Sequence, residues 1–556
     1  MGEVAGPAEA AGLAEAATAH AGPAASVGAN ARVIAGLTMA ARVAGLARML
    51  VFAACVGASA VGAAYQSANT VPNVIFEIAA GGVLAAIVVP LLAARVQAGD
   101  RPGVDAIASA LLTWTLLVLL PLTVLVAVGA PKLAGALLPE PDTARLGTHM
   151  LWVFAPQVVL YGLGIVVTGI LHAHRRFVAA ALAPLISSLV VIATYGLYAA
   201  LVRGGMDRDS AVWVLAGGTT AGVVALVGTL VPSARHTGLH LRPTLRFPDG
   251  VAARARRLAG AGLIALLAQQ ISVLAVLWLT NHRAATGSIN AYQYVQAIYL
   301  LPYAVLAVPL ATAAYPVLGA SDGQGEAAEH LLAQTGRRIV ILAGMAATVL
   351  AVAAADLGTF FTAIDAGRTG GGASALAALP QTMRAFAPGL IGFGLSALLT
   401  RALYVRGSAT RGSLAMAAGW LLAALLPLAA AGSAPATQRT LSLLGIGSSI
   451  GMTLATLLLL WLVRGSWGST AVAGVTRAAL AAGAAALVAS AVAPALRSAL
   501  PAATSAPAAV AWGVLLGMAA GAAYLLWVGV TDPGSLRLLR RGRGRSAIPD
   551  RPRRRS

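Results

Sequence analysis

LTMAARVAGLARMLVFAACVG, residues 37–57, reads as a membrane span from Val43 to Gly57, with Arg42 and Arg48 at and inside its first half. An arginine at the centre of a spanning helix costs roughly 2.5–3.5 kcal/mol on insertion scales, so it is normally absent, snorkelling to an interface, or facing a wet cavity. Two readings follow. Either the span runs from Met49 to about Gln66 and both arginines are rim residues with snorkelling stems, or the span includes them and two cations lie within the protein. The surrounding composition makes a membrane helix the only sensible frame. Of 556 residues 59% are hydrophobic and 10% charged, and mean hydropathy is +0.83, against roughly 45–50% apolar and 25% charged in a soluble domain.

The fold class is therefore all-α and polytopic. A span needs about 20 mostly apolar residues, and fourteen candidates meet that: 36–62, 71–95, 105–129, 149–171, 177–202, 211–232, 258–280, 288–318, 338–356, 385–404, 412–431, 441–463, 471–495 and 506–530. Short cytoplasmic loops carry the Lys/Arg excess. With both termini inside, the inner segments hold 27 basic residues and the outer segments nine, Arg42 and Arg48 excluded. Residues 1–32, rich in Ala and Gly and carrying Glu3, Glu9 and Glu15, lack the basic start of a secretory signal and read as a disordered cytoplasmic extension. The tail 531–556 holds nine arginines. Directly after a span it reads as a topology anchor and a seat for anionic lipid headgroups, not as a nucleic-acid site.

An offset of 230 residues aligns two parts of the chain. Pro72, opening PNVIFEIAAGGVLAAIVVPLLA, falls on Pro302, opening PYAVLAVPLATAAYPVLGA, and Arg176 of HAHRRFVAAALAPL falls on Arg406 of RALYVRGSATRGSL. The implied organisation is an N-lobe of six spans (33–232), a basic cytoplasmic linker (233–257), a C-lobe of six spans (258–465) and two appended helices (466–530). Paired six-helix bundles with a site between them suit alternating access.

No catalytic constellation is present, so the chain is not expected to be an enzyme. His172 and His174 have no Cys, Asp or Glu at ligand spacing, which argues against a metal site. The absence of a G-x-x-x-x-G-K-[ST] loop argues against ATP hydrolysis, and no cofactor is expected. Gly370–Gly372 read as a flexible spacer in an outer loop. Cys55, the one cysteine, reads as a small packing residue.

AARVAGLAR in the first span, VPNVIFEIAAGGVLAAIVVPLL in the second, HAHRRFVAAALAPLISSLVVI, LLAQQIS in the seventh and LLPYAVLAVPLATAAYPVL in the eighth resemble the MurJ (MviN) family of lipid II flippases, within the MOP exporter group. The likeness covers roughly residues 33–465. It implies a fourteen-helix membrane protein of the bacterial cytoplasmic membrane. Its two lobes enclose a cationic cavity that carries a polyprenyl-pyrophosphate peptidoglycan precursor outward. Arginines of the first span line that cavity in the family, and carried over they are Arg42 and Arg48. Guanidinium forks suit a pyrophosphate because they replace its hydration with bidentate, charge-assisted hydrogen bonds.

The candidate substrate-binding set is Arg42, Arg48, Asn73, Glu77, Gln270 and Gln296. Glu77 is either a partner for Arg48, a proton carrier or a water-exposed helix-end residue. Gln269, Gln270, Gln293 and Gln296 are either neutral hydrogen-bonding groups of the cavity or packing amides. The chain departs from the family where charges are common, at Ala63, Phe76 and Ala297. Lipid II or a similar lipid is the expected substrate, and cell-wall synthesis proteins are further candidate partners. The competing readings are an exporter of another polyprenyl-linked glycan or of a drug cation, and a non-transporting scaffold. A drug-cation exporter should carry cavity acids, and Glu77 alone qualifies.

Overall fold

The computed structural model describes residues 24–78, 85–248, 251–320, 325–368, 370–432 and 436–541, and every regular element among them is helical. The first half comprises α1 (Ala24–Cys55), α2 (Ala60–Phe76), α3 (Ala85–Gln97), α4 (Arg101–Leu137), α5 (Pro141–Phe154), α6 (Gln157–Ala173), α7 (Phe177–Arg203) and α8 (Arg208–Arg235). The second comprises α9 (Val251–His282), α10 (Ser288–Pro302), α11 (Val308–Ala320), α12 (Glu326–Val352), α13 (Ala354–Ile364), α14 (Ala373–Ala377), α15 (Leu379–Phe386), α16 (Gly389–Val405), α17 (Ala409–Ala430) and α18 (Thr437–Trp467). After it come α19 (Val475–Ser498), α20 (Ala506–Thr531) and α21 (Pro533–Arg541).

Twelve helices are long and apolar enough to cross a membrane, or thirteen if α15 and α16, bent by 41° at their junction, form one span. The expected count of fourteen is not reached among the described residues, because α2 and α3 flank residues 79–84, which lie outside them. The expectation for residues 1–32 changes as well: α1 begins at Ala24, while 1–23 lie outside the described residues. Of the tail, Pro533–Arg541 is helical and 542–556 lies outside.

The 230-residue repeat extends through the element order. The turn between α1 and α2 matches that between α9 and α10, α8 matches α18, and Pro72 and Pro302 are each followed by π-helical backbone, at Glu77–Ile78 and at Tyr303–Ala307. A proline removes one backbone donor and crowds the preceding turn, and π turns often mark functional positions.

The boundary between the first two spans is the main correction to the sequence reading. The helix ends at Cys55, Gly57 takes φ +67°, and Ser59 caps the next helix by accepting from the Gly62 N–H. Neither 36–62 nor Met49–Gln66 is one helix. An unbroken apolar run hides the turn. Arg48 consequently lies seven residues inside α1, about 10 Å from its end.

α1 packs along α7 and α2 along α5, while α17 and α18 pair and α16 lies against α12 and α18. The lobes meet where α2 touches α9 and α10, and where α3 touches α9. The α19–α20 hairpin docks on α12 and α13. It is pinned at one end by Asp356–Arg497 (3.5 Å) and at the other by Asp532, which faces Arg337 (3.6 Å) and Arg477 (3.9 Å).

The segment between the lobes is not a free loop. His240, Arg242 and Thr244 donate their backbone N–H groups to Asp105, Ser109 and Thr113, spaced four residues apart along α4, and Trp114 Nε1 donates to the Leu245 carbonyl. Of the six arginines expected in this linker, Arg235 closes α8 and Arg254, Arg256 and Arg257 stand in α9.

Candidate functional site

Four residues of the α1–α2 turn, Val56 to Ser59, plug into the second half of the chain. Asp365, fully buried after α13, accepts from the Ala58 N–H (2.8 Å), the Gly367 N–H (2.7 Å) and the Tyr294 hydroxyl (2.8 Å). Asn290 Nδ2 donates to the Gly57 carbonyl (3.1 Å) and the Ala366 N–H to the Ala53 carbonyl (2.8 Å). A Cβ on Gly287, Gly367 or Gly372 would run into the Ala58 carbonyl. Gly372 is thus not a spacer, as the run of glycines suggested, but a close-packed contact. Burial pushes the Asp365 carboxyl above its usual range, and the Ala58 N–H, the Tyr294 hydroxyl, the Gly367 N–H and Arg368 pull it back. Together these contacts tie the α1–α2 turn of the first half to the second half of the chain.

Before this turn α1 brings its two arginines. Arg42 is exposed and Arg48 half-buried. Their six-residue separation sets them about 120° apart around the helix and about 9 Å along it, so they do not converge on one point. Arg48 lies within electrostatic range of Tyr65 and Tyr195. Those hydroxyls bond each other at 2.9 Å, Tyr65 also meets Thr219 at 3.1 Å, and Phe52 packs on both rings.

α2 carries a polar row: Gln66, Asn69, Asn73 and Glu77 recur every three or four residues, which aligns them on one helix face. Gln66 and Asn69 are buried; Asn73 and Glu77 are half-buried. At the Pro72 break the Glu77 N–H reaches the Asn73 and Val74 carbonyls. Gln296 is half-buried on α10, which packs on α2. Gln270 is 3% exposed on α9, and its Oε1 has no hydrogen-bond partner among the described residues. The structure therefore packs the helix that bears Asn73, with Glu77 just past its end, against the helices that bear Gln296 and Gln270.

Sequence reasoning missed Gln66, Asn69, Asn290 and Asp365. Nor did it single out Arg401, which is 7% exposed inside α16. Its Nη1 donates to the Ala397 carbonyl (2.7 Å), one turn back towards the helix start. The three-to-four spacing on α2 was a readable signal, obscured because the first span was drawn across Gly62.

Comparison with known proteins adds the following. Residues 52–509 match the family model described as lipid II flippase MurJ. A probable lipid II flippase MurJ of Rhizobium tropici is 26% identical over 303 residues, covering 53% of this chain and 56% of that protein. Lipid II flippase MurJ of Burkholderia cenocepacia is 28% identical over 325 residues, covering 56% and 60%. The matched stretches thus span little more than half the length of these relatives. A solved lipid II flippase MurJ in an inward closed conformation superposes with TM-score 0.69 at 17% identity, over 89% of this chain and 98% of that one. An inward-facing multidrug MATE transporter of the MOP superfamily gives 0.62 at 15% identity, over 78% and 94%. At such identities these two report the fold.

Proposed function

The chain belongs to the MurJ lipid II flippase family, and from that premise we propose that it carries lipid II from the inner to the outer leaflet of the bacterial cytoplasmic membrane by alternating access, with both termini cytoplasmic. The observation that carries this reading is Arg48 seven residues inside an apolar helix whose end is fastened to the other lobe by the Asp365 contacts. An intramembrane cation is costly and persists where it meets an anion or water.

In this mechanism Arg42 and Arg48 take the pyrophosphate, whose charge and oxygens match guanidinium forks. Asn73, Glu77, Gln270 and Gln296 line the path of the headgroup. The Asp365 seal holds the outer end shut while the headgroup loads from inside, and its release opens the way out. The polyprenyl tail stays in lipid, so only polar groups need the protein. The arginine-rich tail is assigned to anionic headgroups of the inner leaflet, and cell-wall synthesis proteins are the natural partners of a precursor carrier.

The test is outward translocation of labelled lipid II in cells depleted of this protein and then complemented with it. Translocation should fall on depletion and return on complementation. Unchanged translocation, with no related gene present, refutes the reading.

A further inference from the structure

Gln66, Asn69 and Asn290 each bury an amide oxygen that accepts no hydrogen bond from the described residues, at 7%, 9% and 0% exposure. Buried acceptors without donors are uncommon in native proteins, and each calls for an explanation.

The three belong to one wall. A Cβ on Gly62 would stand 2.7 Å from Asn290 Nδ2, so the Gly62 side of α2 is the side towards α10. At 100° per residue, Gln66 and Asn69 lie about 40° and 20° to either side of Gly62. Ser67, further round, accepts from Asn281 Nδ2 of α9 at 2.8 Å. The wall thus stands at the junction of α2, α9 and α10, just below the seal at Gly57 and Ala58. The row of α10 that runs on from Asn290 offers them no donor. Asn290 gives its Nδ2 to Gly57, Tyr294 gives its hydroxyl to Asp365, and the residue one turn further is Ala297.

We propose that Gln66 and Asn69, with Asn290 above them, recognise the sugar-peptide part of the headgroup, their amide oxygens accepting from sugar hydroxyls and peptide N–H groups. The assignment rests on the flippase reading and names the part of the substrate that this wall reads. The unpartnered oxygens are acceptors that suit hydroxyl and N–H groups, while the pyrophosphate, a dense negative charge, is better matched by the guanidinium groups of α1. A metal cation fits poorly, because among the described residues the nearby carboxylate of Asp365 is already taken by the Ala58, Gly367 and Tyr294 donors and Glu77 lies eight residues beyond Asn69, about 12 Å along the helix.

The experiment uses the full chain in lipid nanodiscs and two probes, lipid II and undecaprenyl pyrophosphate, which lacks the sugars and peptide. The paired substitution Gln66→Met and Asn69→Leu keeps volume and removes both acceptors. Lipid II affinity should fall roughly tenfold, the loss of two neutral hydrogen bonds, with undecaprenyl pyrophosphate binding within about twofold of wild type and thermal stability retained. Equal weakening of both lipids, no weakening of either, or loss of the fold overturns the assignment; in the last case the amides are held by the protein itself. Wild-type protein that binds neither lipid refutes the flippase reading directly, and the assignment falls with it.

Discussion

Replacing Asp365 by alanine should open the sealed end, and the size of the effect follows from which bonds cross between the lobes. Of the three donors on Asp365, Gly367 is two residues away and Tyr294 is on the same side of the lobe junction, so both remain near it whichever way the lobes tilt. Only the Ala58 N–H comes from the N-lobe. A hydrogen bond to a charged, buried acceptor contributes about 1.5–3 kcal/mol, and every 1.4 kcal/mol is tenfold in a population ratio. Asp365→Ala should therefore shift the sealed-to-open ratio by roughly 10- to 150-fold. Asp365→Asn, which keeps an acceptor, should shift it only a few-fold. A suitable reporter is Ser67→Cys in a Cys55→Ser background, because Ser67 is fully buried below the seal on α2. The maleimide labelling rate of purified protein should rise by at least about tenfold for the alanine variant and in rank order Ala, Asn, wild type. An unchanged rate in a folded Asp365→Ala protein would show that the contact does not hold the end shut.

Gly372→Val should give the same fast labelling by a different route, since its side chain meets the Ala58 carbonyl; labelling at the wild-type rate would disprove the close packing. Arg48→Ala should abolish growth rescue at normal membrane abundance and Arg48→Lys should restore little, because an ammonium lacks the bidentate fork; a fully active Arg48→Ala removes that residue from the binding role. Single cysteines at Ser233 and Gln438 should be protected and labelled, respectively, by an impermeant reagent applied from outside, and the reverse pattern would invert the orientation. Asp532→Ala should lower thermal stability by about 2 kcal/mol, less than the ~3–5 kcal/mol of a fully buried pair, because Arg477 is 70% exposed. An unchanged melting temperature would mean that the Asp532 cluster does not help to hold its end of the hairpin.

The sequence made the helical class and the repeat visible because apolar length and proline spacing are local properties that survive folding. Turns inside the membrane are not local in that sense. Val56, Gly57 and Ala58 are as apolar as the helices beside them, and what makes them a turn is the positive φ of Gly57 and a buried Asp365 more than 300 residues away. The same limit hid the site. Asp365 alone in an outer loop looks like any solvated carboxylate, and Gly372 beside two other glycines looks like slack. Arg42 and Arg48 stood out because charge in an apolar run is conspicuous at any register. The buried amides of α2 are equally polar but carry no charge, so composition passes over them.

The contact between the interlobe segment and α4 has a consequence for membrane chemistry. Asp105, Ser109 and Thr113 form a stripe that climbs about 18 Å from the start of α4, and a stripe of that kind turned towards acyl chains would be costly to leave without partners. The chain that joins the lobes supplies those partners from its own backbone, so it acts as insulation for a polar seam in a helix that must face lipid. Its sequence can vary while its extended course cannot. A glycine–serine tether of equal length would still connect the lobes, yet it would leave that seam bare.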